Sequence, residues 1–295
     1  MKRTIAVWIV VFCLLSVLYF LWISSDIQRE YDDGDATYEE IRDEVYPQDR
    51  PQTASDDEDD HEGDAGQQRT DCQEKDDEDA TASERKADDK TTSSQDNSES
   101  NNGGKRPKKI IIPDMERLSE INDDLVAWIT CPDTVIDYPI AHGEDNDFYL
   151  THLADGKKNA NGCLFIDCNN AGDFSDSNTI IYGHNMHSGK MFAVLMNYRE
   201  QDFYDKHCYM YLTYGDDTYR LELFSAYVTT SSSDAYKMRF SNKAEYGQWL
   251  KEVADKSDFK ADITLSTNDR MVTLSTCAYD YANARYVVHG RLVKM

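Results

Sequence analysis

The sequence predicts a mixed α+β domain, mainly β, closed or nearly closed as a barrel. Three observations point that way. Between residues 134 and 293 about eight short runs rich in β-branched and aromatic residues are separated by Gly, Asn and Asp. Helical periodicity is confined to a few stretches between them. And only about 190 of the 295 residues have the composition of a packed body, enough for one core and too few for two.

Residues 4–23 contain no charge and are dense in Val, Ile, Leu, Phe and Trp; Lys2 and Arg3 precede them, and Asp26, Arg29, Glu30, Asp32 and Asp33 follow. A helix of that length spans ~30 Å, the thickness of a bilayer core. Residues 1–25 are therefore expected to be a single-pass anchor. The flanking positive charge predicts a cytoplasmic N-terminus and an extracytoplasmic remainder. A cleaved signal peptide fits less well, because its apolar region would be roughly 7–15 residues and would end in a small-x-small site; here the run is longer and closes on Trp22-Ile23. Residues 26–106 hold most of the formal net charge of −25, with acidic runs at 56–60 and 76–79. With so few apolar side chains they are expected to form a disordered tether, a weak amphipathic pattern at 38–46 being the one sign of order. The acidic balance argues against nucleic-acid binding, which needs a cationic face.

The globular domain is expected over residues 107–295. Leu118, Ile121, Leu125, Trp128 and Ile129 recur at intervals of three and four and predict a helix within 113–129. Strands are expected at 134–141, 163–167, 178–183, 208–214, 219–230, 262–265, 270–277 and 284–293, with a hairpin turn at Gly215-Asp216-Asp217. Two further helices are expected, at 190–198 and 242–256. In the second, Tyr246, Trp249, Leu250 and Val253 make one apolar face.

Seven cysteines occur, at 13, 72, 131, 163, 168, 208 and 277. Five lie in the domain, and an odd number leaves at least one thiol unpaired. Cys163 and Cys168 lack a second Cys/His pair at zinc-ligand spacing, so no metal site is expected. Cys131, Cys163 and Cys208 read as small buried hydrophobes in or beside strands. Cys277 differs: it ends the apolar run from Met271, where the chain enters a polar loop. Eight residues on, Arg285 opens the next β-rich run, so a hairpin would set the two side by side. His184 ends a third apolar run, 178–183. A thiol of pKa ~8.5 is only a few per cent thiolate at neutral pH and needs a base to work as a nucleophile. An imidazole can take the proton and return it to a leaving amine, and a guanidinium can donate to a tetrahedral oxyanion. Cys, His and Arg at three strand ends suffice for acyl transfer. His187 competes with His184 and Arg291 with Arg285, though Arg291 lies further from the Cys277 loop.

Thr273-Leu274-Ser275-Thr276-Cys277 with Arg285, together with Tyr182-Gly183-His184-Asn185, closely resembles the signature of sortases, the membrane-anchored cysteine transpeptidases of Gram-positive bacteria. Ile136-Asp137-Tyr138-Pro139, Asn146-x2-Tyr149-Leu150, Gly162-x2-Phe165-Ile166-Asp167, Gly189-x-Met191-Phe192 and Phe224-Ser225-Ala226-Tyr227 extend the resemblance to class B, over residues 114–295. It implies an eight-stranded barrel with an N-terminal helix and an extra helix before the strands leading to Cys277. The groove would receive a C-terminal sorting signal of a surface protein, an extended pentapeptide containing Pro and Thr. Cys277 would attack the carbonyl after Thr, with His184 as general acid/base and Arg285 stabilising oxyanion and substrate. A peptidoglycan-precursor amine would release the thioacyl enzyme as a new amide. By matching position, Asn146, Leu150, Ser275 and Tyr236 are candidate groove residues. No cofactor is implied. Ala278 follows the nucleophile where some relatives carry an acidic residue, which leaves only its backbone N–H for a role there. Two other readings stay open: a cysteine peptidase in which water replaces the amine, and an inert tethered binding module.

Overall fold

The computed structural model describes residues 2–46 and 111–295; most of the expected tether lies outside them. Eight strands close into a barrel in the order β1-β2-β3-β4-β7-β8-β6-β5. They are β1 (Leu125–Thr130), β2 (Asp137–Ala141), β3 (Leu164–Ile166), β4 (Asn178–Tyr182), β5 (Tyr209–Tyr214), β6 (Asp217–Thr230), β7 (Arg270–Cys277) and β8 (Ala284–Lys294). The helices are α1 (Lys2–Val45), α2 (Met115–Ile121), α3 (Gln201–Tyr204) and α4 (Lys243–Ala254). The fold is thus mixed α+β and mainly β, as the run pattern predicts.

Two pairings in the barrel are parallel, β2 with β3 and β4 with β7. Parallel neighbours need long crossovers, and these excursions build the walls of the groove. Residues 142–163 connect β2 to β3 and include a short 3₁₀ turn, Phe148–Leu150. The β6–β7 connection carries a second 3₁₀ turn, Asp234–Tyr236, and α4. Asn242 caps α4 by accepting from the Glu245 N–H at 3.0 Å. The apolar face of α4, with Tyr246, Trp249, Leu250 and Val253 buried, packs on Phe224, Tyr227, Met271 and Val287 of the barrel's outer surface.

Three expectations change. The helix expected within 113–129 is α2 alone; Leu125, Trp128 and Ile129 belong to β1. Asn122 leaves helical space (φ −161°, ψ 124°), and the strand that follows is buried on both faces. Its inner side chains fill the barrel while Trp128 meets Tyr46 of the α1 end edge-on at 5.6 Å. Apolar residues on both sides of a strand imitate helical spacing. The run at 262–265 makes no ladder; Ile263 and Leu265 instead pack against the α4 cluster. Cys208 is disulfide-bonded rather than a buried free thiol.

The N-terminal expectation is overturned more fully. Among the described residues no helix is long and apolar enough to cross a membrane. This overturns the expected single-pass localisation and leaves the membrane without support as a partner. The helix that carries the apolar run does not end with it. It continues unbroken through Asp26, Arg29, Glu30, Asp32 and Asp33 to Val45, so residues 26–45 are helix, not tether. Its far end docks on the barrel: Tyr38, Ile41, Val45 and Tyr46 are buried. Arg42 donates to the Asp137 carbonyl at 3.0 Å, and the Tyr46 hydroxyl donates to the Asp137 carboxylate at 2.6 Å. Burying each such large apolar side chain contributes ~1.5–3 kcal/mol.

Candidate active site

The β7–β8 hairpin sets the first two site residues. Cys277 and Arg285 are paired across it, and the turn closes through Ala278 N–H to the Ala284 carbonyl at 3.0 Å and Ala284 N–H to the Tyr281 carbonyl at 3.1 Å. Asn283 takes the left-handed conformation (φ 61°) that the turn requires, and Asn tolerates it better than most residues. Asp280 on this loop receives both guanidinium branches of Arg199, at 3.0 and 2.6 Å. Among the described residues Arg285 has no carboxylate partner; it donates to the Ala284 carbonyl at 3.0 Å.

The third residue arrives from β4. Past Tyr182 the chain stays zipped to the end of β7. Gly183 N–H donates to the Ser275 carbonyl at 3.1 Å, the Thr276 hydroxyl to the Gly183 carbonyl at 2.8 Å, and the Asn185 amide to the Cys277 carbonyl at 2.8 Å. His184 therefore stands at the strand end next to that of Cys277. Gly183 is required here, since a Cβ would come within 2.4 Å of Leu164 and 2.6 Å of Phe192. The His184 Nε2–H donates to the Leu150 carbonyl at 2.7 Å. A carbonyl can only accept, so in the neutral imidazole the proton sits on Nε2 and Nδ1 is the free base. His187 is exposed and stacks on Tyr279 at 6.2 Å instead.

The candidate groove residues form one connected wall. The Tyr236 hydroxyl pairs with Ser275 Oγ at 2.8 Å. Burial pushes the Tyr236 phenol pKa up; the Ser275 hydrogen bond and the charge of Arg285 oppose this, and Cys277 adds to it. Ser275 is itself only 1 % exposed, so it is no open surface of the groove and lies behind the Tyr236 hydroxyl it pairs with. Tyr182 stacks on Tyr236 at 6.2 Å and donates to Asp167 at 2.9 Å. Asn146 donates to the same Asp167 oxygen at 3.1 Å and accepts from Cys168 N–H at 2.8 Å. With its oxygen so engaged, the Asn146 amide keeps a spare N–H donor. Leu150 presents a side chain 38 % exposed and, through its carbonyl, the acceptor for His184.

Asp167, Tyr182 and Asn185 were not among the site residues expected from the sequence. All three lie inside motifs quoted there, Gly162-x2-Phe165-Ile166-Asp167 and Tyr182-Gly183-His184-Asn185, but nothing in the one-dimensional pattern marks which polar atoms converge. A buried network lies behind the wall. Thr273 donates to Asn178 Oδ1 at 2.7 Å, so it accepts from His289 Nδ1 at 2.9 Å, and His289 Nε2 accepts from Tyr227 at 3.1 Å. Burial, with Lys256 adding to it, pushes the His289 pKa down to about 3. The Asn178 amide holds the carbonyls of Ala235 and Lys237 at 3.3 and 3.1 Å, fixing the turn that carries Tyr236.

Of the other described free thiols, Cys168 is part-exposed, its pKa raised by burial with Asp167 and Asp145 adding to it, while Cys131 and Cys163 are buried. Burial raises Cys131 to about 11 and Cys163 to about 12, so both stay protonated. Cys277 is part-exposed at the groove. Among the described residues no cluster of three or more His, Cys, Asp or Glu could hold a metal ion.

The sortase-domain family model matches residues 129–293. The chain belongs to the sortase family. It is 38 % identical to sortase B of Listeria monocytogenes over 182 residues, 61 % of this chain and 74 % of the relative. The solved sortase B of Clostridium perfringens superposes with a TM-score of 0.58 at 39 % identity, covering 61 % of this chain and 99 % of that one. A Staphylococcus aureus sortase B–substrate complex gives a TM-score of 0.58 at 35 % identity, over 61 % of this chain and 84 % of the other. This sortase is a class B cysteine transpeptidase, and its barrel order and site occupy the matched span.

Proposed function

We propose that this sortase cleaves a C-terminal sorting signal after a Thr and transfers the surface protein that bears it to a cell-wall amine. The observation that carries the reading is the pairing of Cys277 with Arg285 across one hairpin, with the His184 segment bonded to the same strand end. In the proposed cycle the Cys277 thiolate attacks the Thr carbonyl carbon and a C–S bond forms. The Arg285 guanidinium, unpaired with any carboxylate among the described residues, stabilises the oxyanion; one such donor is worth ~3–4 kcal/mol. The C–N bond breaks as His184, protonated, gives its proton to the leaving amine. An incoming amine then loses a proton to His184 and attacks the thioester; the C–S bond breaks and an amide replaces it.

Asn146, Leu150, Tyr236 and, through Tyr236, Ser275 would line the signal-binding groove, with the Asn146 N–H offered to a peptide carbonyl. Support for two substrates comes from similar proteins: the Staphylococcus aureus sortase B solved with a substrate and a sortase B complexed with triglycine. Intact-mass spectrometry of the enzyme with Pro/Thr-containing peptides, with and without a glycine acceptor, tests the reading. An adduct on Cys277 that converts to an acceptor-linked amide is expected. Hydrolysis alone at saturating amine would favour a peptidase instead, and no adduct on Cys277 would remove the mechanism.

A further inference from the structure

The docked face of α1 repeats at Gly34, Tyr38, Ile41 and Val45, all buried, a helical stripe of spacing four, three and four. It lies on the loop before β3. Gly34 lets the helix approach: a Cβ there would sit 2.4 Å from Asn161 Nδ2 and 2.7 Å from Asn159 Oδ1. The loop reaches back to the helix. Asn159 donates to the Glu30 carbonyl at 2.7 Å, Ala160 N–H to the Glu30 carboxylate at 3.1 Å, and Asn161 to the Tyr31 carbonyl and Asp35 carboxylate, each at 3.1 Å.

Tyr38 touches both walls of the His184 pocket. Its hydroxyl donates to the Gly162 carbonyl at 2.6 Å. Gly162 (φ +61°) is wedged against the imidazole: a Cβ there would be 2.9 Å from His184 Cδ2, 2.7 Å from the Tyr149 carbonyl and 3.0 Å from the Leu150 carbonyl. The last of these accepts the His184 Nε2–H. On the other side, the Tyr38 ring meets Tyr138 edge-on at 5.3 Å, and the Tyr138 hydroxyl accepts from Met191 N–H at 3.3 Å. Met191 ends the loop that His184 begins, a loop closed by Phe192 N–H on the His184 carbonyl at 2.9 Å.

We propose that Tyr38 of α1 is a positioning residue for His184: by fixing Gly162 and, through Tyr138, Met191, it holds the imidazole on the Leu150 carbonyl with Nδ1 as the free base. The proposal rests on the reading of His184 as the general acid/base. It makes the N-terminal helix, which precedes the family-matched span, part of the working enzyme.

The experiment uses the full chain with a sorting-signal peptide and a glycine acceptor, and compares wild type with Tyr38→Phe, Gly34→Leu and His184→Ala. Tyr38→Phe removes one oxygen and keeps the ring. It is expected to lower kcat roughly tenfold, the scale of a sub-ångström misplacement, with KM within about twofold. The ¹⁵N spectrum of His184 is the decisive readout, because a merely structural loss would not alter it. Wild type should show the Nε2–H tautomer and Tyr38→Phe a mixture of both. Gly34→Leu wedges the same contact without touching Tyr38 and should reproduce both effects, which decides the matter if Tyr38→Phe does not fold. Wild-type kcat and an unchanged His184 spectrum in the folded variant overturn the proposal. Full activity in His184→Ala would instead sink the acid/base reading, whatever Tyr38→Phe does.

Discussion

The two sides of the proposed active site are held in unlike ways. Cys277 and Arg285 ride a single hairpin in which eight consecutive residue pairs, Arg270↔Leu292 to Cys277↔Arg285, stay in register. The His184 backbone is tied to the end of β7 and to Phe192 by single hydrogen bonds. Its imidazole is held by one carbonyl and one wedged glycine, backed by a helix more than a hundred residues upstream. A ladder of that length cannot slip by one residue without turning every side chain to the other face. The imidazole has no such ladder behind it. The Cys277 side should therefore tolerate change at its periphery, whereas the His184 side should respond to small changes several contacts away.

The largest effect tests the hairpin directly. Cys277→Ala should abolish the peptide adduct and lower transfer by about 10⁴-fold or more, read by intact mass; an adduct that persisted on another residue would break the scheme. Next, Arg285→Ala should cost about 10²–10³ in kcat. Arg285→Lys should recover only part of it, since an ammonium lacks the guanidinium fork. Equal activity in all three would mean the guanidinium is a bystander. On the other side, Gly162→Ala should lower kcat by roughly tenfold or more while leaving thiol labelling of Cys277 intact. Loss of both together would erase the distinction between the two sides.

The fourth prediction concerns what backs the hairpin. The folded-state pKa of His289 is depressed to about 3, against ~6.5 unfolded. Folding is therefore unaffected by this group above pH ~6.5. As pH falls below that, the unfolded chain gains a proton that the folded one refuses, and stability drops by up to ~1.4 kcal/mol per unit until about pH 3. His289→Gln should remove that slope in a pH series of urea unfolding; an unaltered slope would assign it to other groups. The smallest effect is expected for Arg199→Ala. Its ion pair with Asp280 is solvent-exposed and such pairs contribute little. Steady-state kinetics should stay within about threefold, and a larger loss would mean that the Cys277 loop depends on this clasp.

How much was legible follows the same division. The β7 bounds, Arg270–Cys277, match the expected run residue for residue, because the run alternates little and ends in an abrupt polar loop. The α4 face was equally plain. The number of strands came out at eight for a partly wrong reason: 262–265 is unpaired chain and β1 was read as helix. The sequence also read residues 4–23 as an anchor and 26–45 as spacer, where the chain is one continuous helix that docks its end. Over residues 26–45 nine of twenty residues are acidic, and only one position in about four is buried against the barrel, too sparse a stripe for composition to reveal.

By itself the chain determined which residue types sit at strand ends, since strand boundaries follow from local alternation, turn residues and side-chain branching. That was enough to nominate Cys277, His184 and Arg285. Only the closed barrel decided which ends adjoin: the β4–β7 parallel pairing joins segments some ninety residues apart, and no local rule encodes a partner at that distance. The same holds for the convergence of Asn146 and Tyr182 on Asp167, for the carbonyl that fixes the imidazole proton, and for the helix that presses on its pocket. Each depends on hydrogen-bond directions that exist only once the long-range contacts have formed.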